Sequence, residues 1–238
     1  MSFINITNLK KEFNNVVALD ISLLDIKQGE VIGVVGNNGA GKTTLFRLML
    51  DLIKPTAGTV EINGMKLANG DSWKATTGAY LDEHFLIKFL TASEFLSFIG
   101  SAYKLSDAEI ESRRIAFEKF MTNEIIDTKK YIHEFSSGNK QKIGIVSAMI
   151  THPNLLILDE PFNFIDPTSQ IELINLLKYL NSQYKTTIII SSHNIKHIVD
   201  VSSRIILMEK GKIIKDMYND AEKVKSELQH YFEIYEQE

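Results

Sequence analysis

A glycine-rich stretch near the N-terminus carries the strongest chemical signal in the sequence. Residues 36–43 read Gly-Asn-Asn-Gly-Ala-Gly-Lys-Thr, directly after an apolar run and directly before a helical pattern at residues 43–52. This is the spacing G-x-x-x-x-G-K-[ST] of a phosphate-binding loop. Glycines let the backbone aim its N–H groups at an anion, and the following helix adds the partial positive charge of its N-terminus. The loop therefore predicts a site for nucleotide phosphates.

Two side chains of this loop have distinct predicted roles. Lys42 would reach the β- and γ-phosphates as a mobile charge, and the Thr43 hydroxyl would bind Mg²⁺. The residues predicted to contact the nucleotide at this loop are Asn37, Asn38, Gly39, Ala40, Gly41, Lys42, Thr43 and Thr44.

A pair of carboxylates follows a second apolar run. Residues 155–158 are Leu-Leu-Ile-Leu, and Asp159 and Glu160 come directly after them. A buried parallel strand that ends in this way brings carboxylates to the edge of the sheet where phosphate loops lie. We predict that Asp159 anchors Mg²⁺ and that Glu160 polarises a water for in-line attack on the γ-phosphorus.

The elements that must hold these residues follow from hydrophobic patterning. Apolar runs without polar alternation at residues 31–35, 155–158 and 186–191 are typical of strands buried on both faces of a parallel sheet. Helical patterns lie between them, the clearest at residues 138–151, before Pro153. Strands that alternate with helices predict an α/β layer fold.

Other segments depart from this simple alternation. Residues 3–28 and 59–67 favour antiparallel strands, and residues 204–215 favour a hairpin that turns at residues 210–211. Residues 85–150 are helical by pattern. Their apolar stripe consists of Ile110, Phe117, Phe120 and Met121.

Composition excludes several classes of protein. Hydrophobic residues make up 44% and charged residues 24%, which is ordinary for a globular protein. The absence of cysteine excludes disulfides and cysteine nucleophiles. The formal net charge of −4 argues against a general nucleic-acid-coating role. We find no signal-peptide pattern and no apolar stretch near the roughly 18–20 residues that span a bilayer, so we expect a membrane role to come through a partner.

With these residues in place, the chain resembles the nucleotide-binding subunit of ATP-binding cassette (ABC) transporters of the bacterial, exporter-like type, in order from about residue 3 to residue 215. Residues 135–141, Phe-Ser-Ser-Gly-Asn-Lys-Gln, are similar to the family's LSGGQ signature. Residues 163–166 resemble the D-loop, which crosses between subunits. Phe13 occupies the place of an aromatic that stacks on adenine, and His193 that of the switch histidine at the γ-phosphate.

The resemblance implies a fold and a domain organisation. The expected fold is an α/β P-loop NTPase (RecA-like) core with a mainly parallel sheet, an N-terminal antiparallel β subdomain and an inserted α-helical subdomain. In a single ABC ATPase domain spanning residues 1–238, residues 1–84 and 151–220 would form the nucleotide-binding core. Residues 85–150 would form the helical subdomain and residues 221–238 a C-terminal helical tail.

It also implies a set of site residues. The catalytic residues would be Glu160, His193 and Lys42, and the metal ligands Thr43, Asp159 and Glu83. Phe13 would join the loop in binding ATP, and the signature residues Ser136, Gly138 and Asn139 would bind a nucleotide held by another subunit. ATP and Mg²⁺ are the expected substrate and cofactor.

The implied mechanism requires partners. Two cassettes would meet head to tail, as a homodimer or a heterodimer, with each ATP between one subunit's phosphate loop and the other's signature. Closure and reopening would drive a separate membrane subunit from the cytoplasmic side of the membrane. Residues 84–90 are rich in apolar side chains at the position where that subunit would bind, and they would either form a partner-binding patch or pack into the core. No nucleic-acid partner is expected.

Three positions depart from the family pattern. Glu83 stands where the family usually has the Q-loop glutamine. Ser137 replaces the first signature glycine, with Asn139 in place of the signature glutamine, and a serine there would be strained if its φ were positive. Phe164 replaces a small D-loop glycine near the expected dimer interface. These departures leave the predicted ATP site intact and affect the expected rate of hydrolysis.

Two other functions fit parts of the pattern. One is a non-transport ABC ATPase that acts on ribosomes or DNA, although such relatives usually carry two cassettes or a long coiled coil. The other is a regulatory module that binds ATP and hydrolyses it slowly. The transported substrate, the direction of transport and the role of the tail are not encoded in any pattern that we recognise.

Overall fold

The computed structural model describes residues 2–126, 128–218, 220, 226–228 and 231. The strands are β1 (Ser2–Phe13), β2 (Val16–Lys27), β3 (Val31–Val35), β4 (Ala57–Ile62), β5 (Met65–Lys66), β6 (Thr77–Tyr80), β7 (Leu155–Leu158), β8 (Thr187–Ser191), β9 (Arg204–Glu209) and β10 (Lys212–Tyr218). The helices are α1 (Lys42–Met49), α2 (Ala92–Ala102), α3 (Asp107–Ile115), α4 (Glu118–Met121), α5 (Asn123–Ile126), α6 (Ser137–Met149), α7 (Pro167–Tyr184) and α8 (Ile195–Val201). Among these described residues, no helix is long and apolar enough to cross a membrane.

The chain divides into two units, which are described separately. The first unit consists of Met1–Trp73 and Thr187–Glu238, and the second of Lys74–Thr186.

An antiparallel sheet in the first unit confirms the prediction from the N-terminal pattern. Its strand order is β2-β1-β4-β5. Ile4, Ile6 and Leu9 of β1 are fully buried. Burying such an aliphatic side chain stabilises the fold by about 1.5–3 kcal/mol, which fixes the face that β1 turns to the core.

The same unit holds parallel strands around β3. Strand β3 lies between β8 and β9 and is parallel to both. Every residue of β3 and β8 is buried, as the unbroken apolar runs predicted. Strands β9 and β10 form the predicted hairpin, which turns at Lys210 and Gly211 with φ of 46° and 79°.

In the second unit, β6 and β7 are parallel neighbours, with Tyr80 opposite Leu158. Helix α6 begins at Ser137, one residue before the predicted start. A Cβ on its Gly144 would lie 2.0 Å from the Tyr80 ring, so only glycine allows the helix to approach β6 this closely. The residues of the predicted apolar stripe are all buried: Ile110, Phe117, Phe120 and Met121.

The predicted C-terminal helical pattern lies mostly outside the described residues. Within it, Leu228 is fully buried and the Glu227 carboxylate pairs with the Lys215 ammonium at 2.8 Å.

Candidate active site

The phosphate loop of the first unit connects β3 to α1, the placement that its sequence predicts. Gly39 and Gly41 have φ of 82° and 102°, a region that side chains other than glycine rarely adopt. A Cβ on Gly36 would lie 2.4 Å from the carbonyl oxygen of Met208. The glycines therefore allow both the turn and its close packing against β9.

The Lys42 side chain turns back into this loop. Its ammonium donates to the carbonyl oxygens of Gly36 at 2.6 Å and Asn37 at 3.3 Å, and the residue is buried. A cation turned into a loop of this kind can bind nucleotide phosphates through charge-assisted hydrogen bonds. Thr43 is exposed in the first turn of α1, while Asn37 and Asn38 are exposed in the loop.

His193 and Phe13 belong to the same unit. His193 is exposed directly after β8, and β8 runs parallel to β3 with Ser191 opposite Val34. The phosphate loop and His193 therefore leave the same edge of this strand pair. Phe13 ends β1 with 47% of its surface exposed and with the Lys11 ammonium 4.9 Å from its ring centroid. Phe13 is thus not an ordinary core phenylalanine.

In the second unit, the predicted carboxylates lie at the edge formed by β6 and β7. The Asp159 N–H donates to the Tyr80 carbonyl at 3.0 Å, and the Asp159 side chain is buried. Glu160 is half-buried and has a left-handed backbone with φ of 47°.

Glu83 follows β6 and forms an ion pair. Its carboxylate lies 3.1 Å from the Lys88 ammonium. Hydrogen bonding to this ammonium holds the pKa of the Glu83 carboxyl below its ordinary value. Glu83 is therefore ionised at neutral pH, as a metal ligand must be, but Lys88 competes for its charge.

The carboxylate residues Glu83, Asp159 and Glu160 line one pocket of about 470 Å³. Its lining residues come from β6 and the turn after it, from the first turns of α6 and from the loop after β7: Tyr80, Leu81, Asp82, Glu83, Ser137, Lys140, Gln141, Asp159, Glu160, Asn163 and Phe164. The second unit thus brings Glu83, Asp159 and Glu160 together with the start of the signature helix.

The signature residues form the N-terminus of α6. Ser136 is the N-cap, and its hydroxyl accepts a hydrogen bond from the Asn139 N–H at 3.3 Å. Ser137 is the first helical residue and its φ is not positive. The backbone strain that a positive φ would impose on serine is therefore absent at Ser137.

Unlike the start of α6, the D-loop does contain a residue with positive φ. Phe164 has φ of 66°, and 74% of its surface is exposed. Its carbonyl oxygen packs so closely on Gly138 that a Cβ there would lie 2.4 Å from it. Asp166 then caps α7, and hydrogen bonds from the Ser169 hydroxyl and N–H lower the pKa of the Asp166 carboxyl to about 2.

Two residues of this site were not singled out from the sequence. The Gln141 amide donates to the Glu160 carbonyl at 3.2 Å, and the Lys142 ammonium lies 3.5 Å from the Asp166 carboxylate. Both side chains are buried. The available signal was their helical spacing from Gly138, which places all three residues on one face of α6.

Comparison with known proteins shows the family of the chain. The family profile described as ABC transporter matches residues 19–163. The chain is 32% identical over 243 residues to the bacitracin transport ATP-binding protein BcrA of Bacillus licheniformis, covering 99% of this chain and 76% of that protein. It is 32% identical over 223 residues to the methionine import ATP-binding protein MetN 2 of Bacillus cereus, covering 91% of this chain but 65%, just under two thirds, of that longer protein.

Solved structures show the same fold. An ATP-binding subunit of an ABC transporter superposes with a TM-score of 0.84 at 25% identity, covering 96% of this chain and all of that one. A dimeric ATP-binding cassette bound to ADP and phosphate gives a TM-score of 0.81 at 24% identity, covering 92% and 99%. With its phosphate loop, its paired carboxylates and its signature helix in the family's order, the chain belongs to the ABC transporter family of ATP-binding cassettes.

Proposed function

We propose that this chain binds ATP with Mg²⁺, hydrolyses it in a head-to-tail dimer and thereby powers a separate membrane subunit. The observation that carries the proposal is the loop between β3 and α1, into which the buried Lys42 ammonium is turned. The relatives named for bacitracin transport and methionine import support a role in transport.

The donor groups of the chain fit Mg²⁺. The Thr43 hydroxyl and the Asp159 carboxylate are hard oxygen ligands of the kind that Mg²⁺ takes in nucleotide sites. In the described part of the chain, no group of three or more His, Asp or Glu side chains is arranged to hold a metal alone. This suits an ion that is shared with substrate phosphates, where it would neutralise charge on the β- and γ-oxygens.

Glu160 is the proposed general base. Its carboxylate would orient a water and accept its proton as the water oxygen attacks the γ-phosphorus and the bond to ADP breaks. His193, at the end of β8, would contact the γ-phosphate, and Lys42 would stabilise the charge that develops on the phosphate oxygens. Phe13, half-exposed at the end of β1, would stack on adenine.

The N-terminus of α6 is the proposed site for a nucleotide held by the other subunit. Ser136, Gly138 and Asn139 are small or polar and lie in its first turn, where backbone N–H groups favour an anion. Because each ATP would lie between the phosphate loop of one subunit and the signature of the other, the bound nucleotides would hold the two subunits together.

A surface of the second unit fits a membrane partner. Exposed aromatic side chains lie between residues 85 and 98, namely Phe85, Phe89 and Phe98. The backbone behind them is braced, since the N–H of Ile132 donates to the Leu90 carbonyl at 2.8 Å and that of His133 to the Lys88 carbonyl at 3.0 Å. Docking there would hold the chain at the cytoplasmic face of the membrane.

The substitution Glu160→Gln tests the catalytic proposal. The amide keeps the size of the side chain but cannot accept the proton, so the variant should bind ATP normally and fail to hydrolyse it. With ATP and Mg²⁺ it should elute in size-exclusion chromatography at about twice the 27.0 kDa of the monomer, because its nucleotides are not cleared. The parent should remain largely monomeric.

Two controls complete this experiment. Omitting ATP, or adding Lys42→Ala, should return Glu160→Gln to the monomer, because shared phosphates hold the dimer. Hydrolysis by Glu160→Gln at the parental rate would show that another group is the base.

A further inference from the structure

The loop between β7 and α7 holds an unfavourable backbone at the proposed base. Glu160 and Phe164 both have left-handed φ, of 47° and 66°, which L side chains disfavour. Pro161 adds to this at Glu160, because a residue before proline is biased toward extended backbone. Such a conformation persists only where its surroundings hold it. The contacts that hold this loop therefore decide where the Glu160 carboxylate points.

Helix α6 supplies these contacts from one face. Gly138 packs against the Phe164 carbonyl, Gln141 donates to the Glu160 carbonyl and Lys142 pairs with Asp166. Gln141 and Lys142 follow Gly138 by three and four positions, so all three residues lie on one side of the helix. The first turns of the signature helix thus contact the loop at its beginning, middle and end.

The contact of Gln141 differs from the others because it reaches Glu160 itself. The Glu160 carbonyl accepts two hydrogen bonds, one from Gln141 Nε2 and one from the Asn163 N–H, both at 3.2 Å. Together they fix the plane of the peptide group that follows Glu160. A rotation of that plane would change ψ of Glu160 and swing its side chain away from its present direction.

The amide of Gln141 is buried, which is unfavourable in free energy unless its hydrogen bonds are made. Only 8% of its surface is exposed, and the same helix carries the fully buried apolar residues Ile143 and Ile145. An apolar side chain of the same length would fill this place without that requirement, so the amide itself points to a role.

We propose that Gln141 is a positioning residue for ATP hydrolysis, whose amide holds the Glu160 backbone so that the carboxylate faces the attacking water. This inference rests on the proposed role of Glu160 as the base. Gln141 is not part of the phosphate loop at residues 36–43.

The substitution Gln141→Met tests it, because methionine keeps the length and helical preference and removes the donor. We expect kcat for ATP hydrolysis to fall on the order of ten- to a hundredfold, the effect of a misplaced catalytic group, with KM for ATP within about twofold of the parent.

Gln170→Met is the matched control. Gln170 Nε2 donates to the carbonyl oxygens of Phe162 at 3.2 Å and Ile165 at 3.4 Å, so it braces the same loop without touching Glu160. Its kcat should stay within about twofold of the parent. The inference would be overturned if both variants lost kcat equally, because Gln141 would then only support the loop in general. It would also be overturned if Gln141→Met kept the parental kcat and lost activity only through a higher KM for ATP.

A second variant and a second readout keep the test decisive. Gln141→Glu keeps the size of the side chain and replaces the donor by an oxygen, so its kcat should fall as it does in Gln141→Met. This variant tests the inference even if methionine disturbs folding. In the Glu160→Gln background, adding Gln141→Met should leave the ATP-driven dimer intact. A double variant that no longer dimerises would mean that Gln141 acts through the signature helix, against the inference.

The failures of the two proposals are distinguishable. Glu160→Gln that hydrolyses ATP at the parental rate removes the proposed base. Glu160→Gln that is inactive, together with Gln141→Met at the parental kcat, leaves the base in place and removes only the role of Gln141.

Discussion

At the scale of single residues, Lys42 carries the largest predicted effect. Its ammonium is buried in the loop, where it donates to the Gly36 and Asn37 carbonyls, and a bound nucleotide would bring its β- and γ-phosphates within reach. Charge-assisted hydrogen bonds contribute about 1.5–3 kcal/mol each. Lys42→Ala would remove the two such bonds that the ammonium would form with the β- and γ-phosphates. ATP binding should therefore weaken at least about a hundredfold, as measured by equilibrium titration.

Lys54→Ala is the control for Lys42. Lys54 belongs to the same unit, but its ammonium is exposed and paired with Asp51 at 2.8 Å. Its loss should leave ATP affinity unchanged. Near-parental MgATP affinity in Lys42→Ala would contradict the assignment of the phosphate loop.

At the scale of elements, the close approach of α6 to the D-loop is the sensitive contact. A Cβ on Gly138 would lie 2.4 Å from the Phe164 carbonyl oxygen, and backbone cannot yield as a flexible side chain does. Gly138→Ala should therefore lower the free energy of unfolding by about 1–3 kcal/mol, the usual cost of overpacking. Urea denaturation would measure it.

Ser137→Ala is the matched substitution, one position earlier in the same turn. Ser137 is exposed and helical, so a methyl group there meets no backbone, and its unfolding free energy should change by less than about 0.5 kcal/mol. Equal destabilisation by the two variants would show that the contact between Gly138 and Phe164 is not the cause.

At the scale of the whole molecule, the exposed aromatics of the second unit would decide where the protein resides. Phe89 is 73% exposed beside a braced backbone. Phe89→Asp should cut the fraction of protein that sediments with the membranes of its own cell by about tenfold, since an unpaired charge is costly at the centre of an interface. The ATPase rate of the isolated chain should not change.

Ile171→Asp provides the comparison for Phe89→Asp. Ile171 is an exposed apolar residue of α7, with 60% of its surface accessible, and lies outside the proposed docking surface. It should sediment as the parent does. Unaltered sedimentation of Phe89→Asp would place the membrane partner elsewhere.

The local features of this protein could be predicted from its amino-acid sequence. The phosphate loop, the buried strands and the hairpin at residues 210–211 were readable because each depends on neighbouring residues: glycines for a turn, apolar runs for a buried strand and a polar turn between strands. The carboxylates Asp159 and Glu160 were readable for the same reason, since the strand before them sets their place at the edge of a sheet.

In contrast, the positions with left-handed backbone and the side chains that hold them depend on tertiary packing. Ser137 adopts helical φ because Ser136 caps α6, whereas Phe164 and Glu160 are left-handed in a loop that packs against that helix. Gln141 and Lys142 gained their roles in the same way, because their partners lie about twenty residues further along the chain. Their spacing from Gly138 shows that they share one face of α6, but not which loop that face contacts, since this depends on how two elements pack.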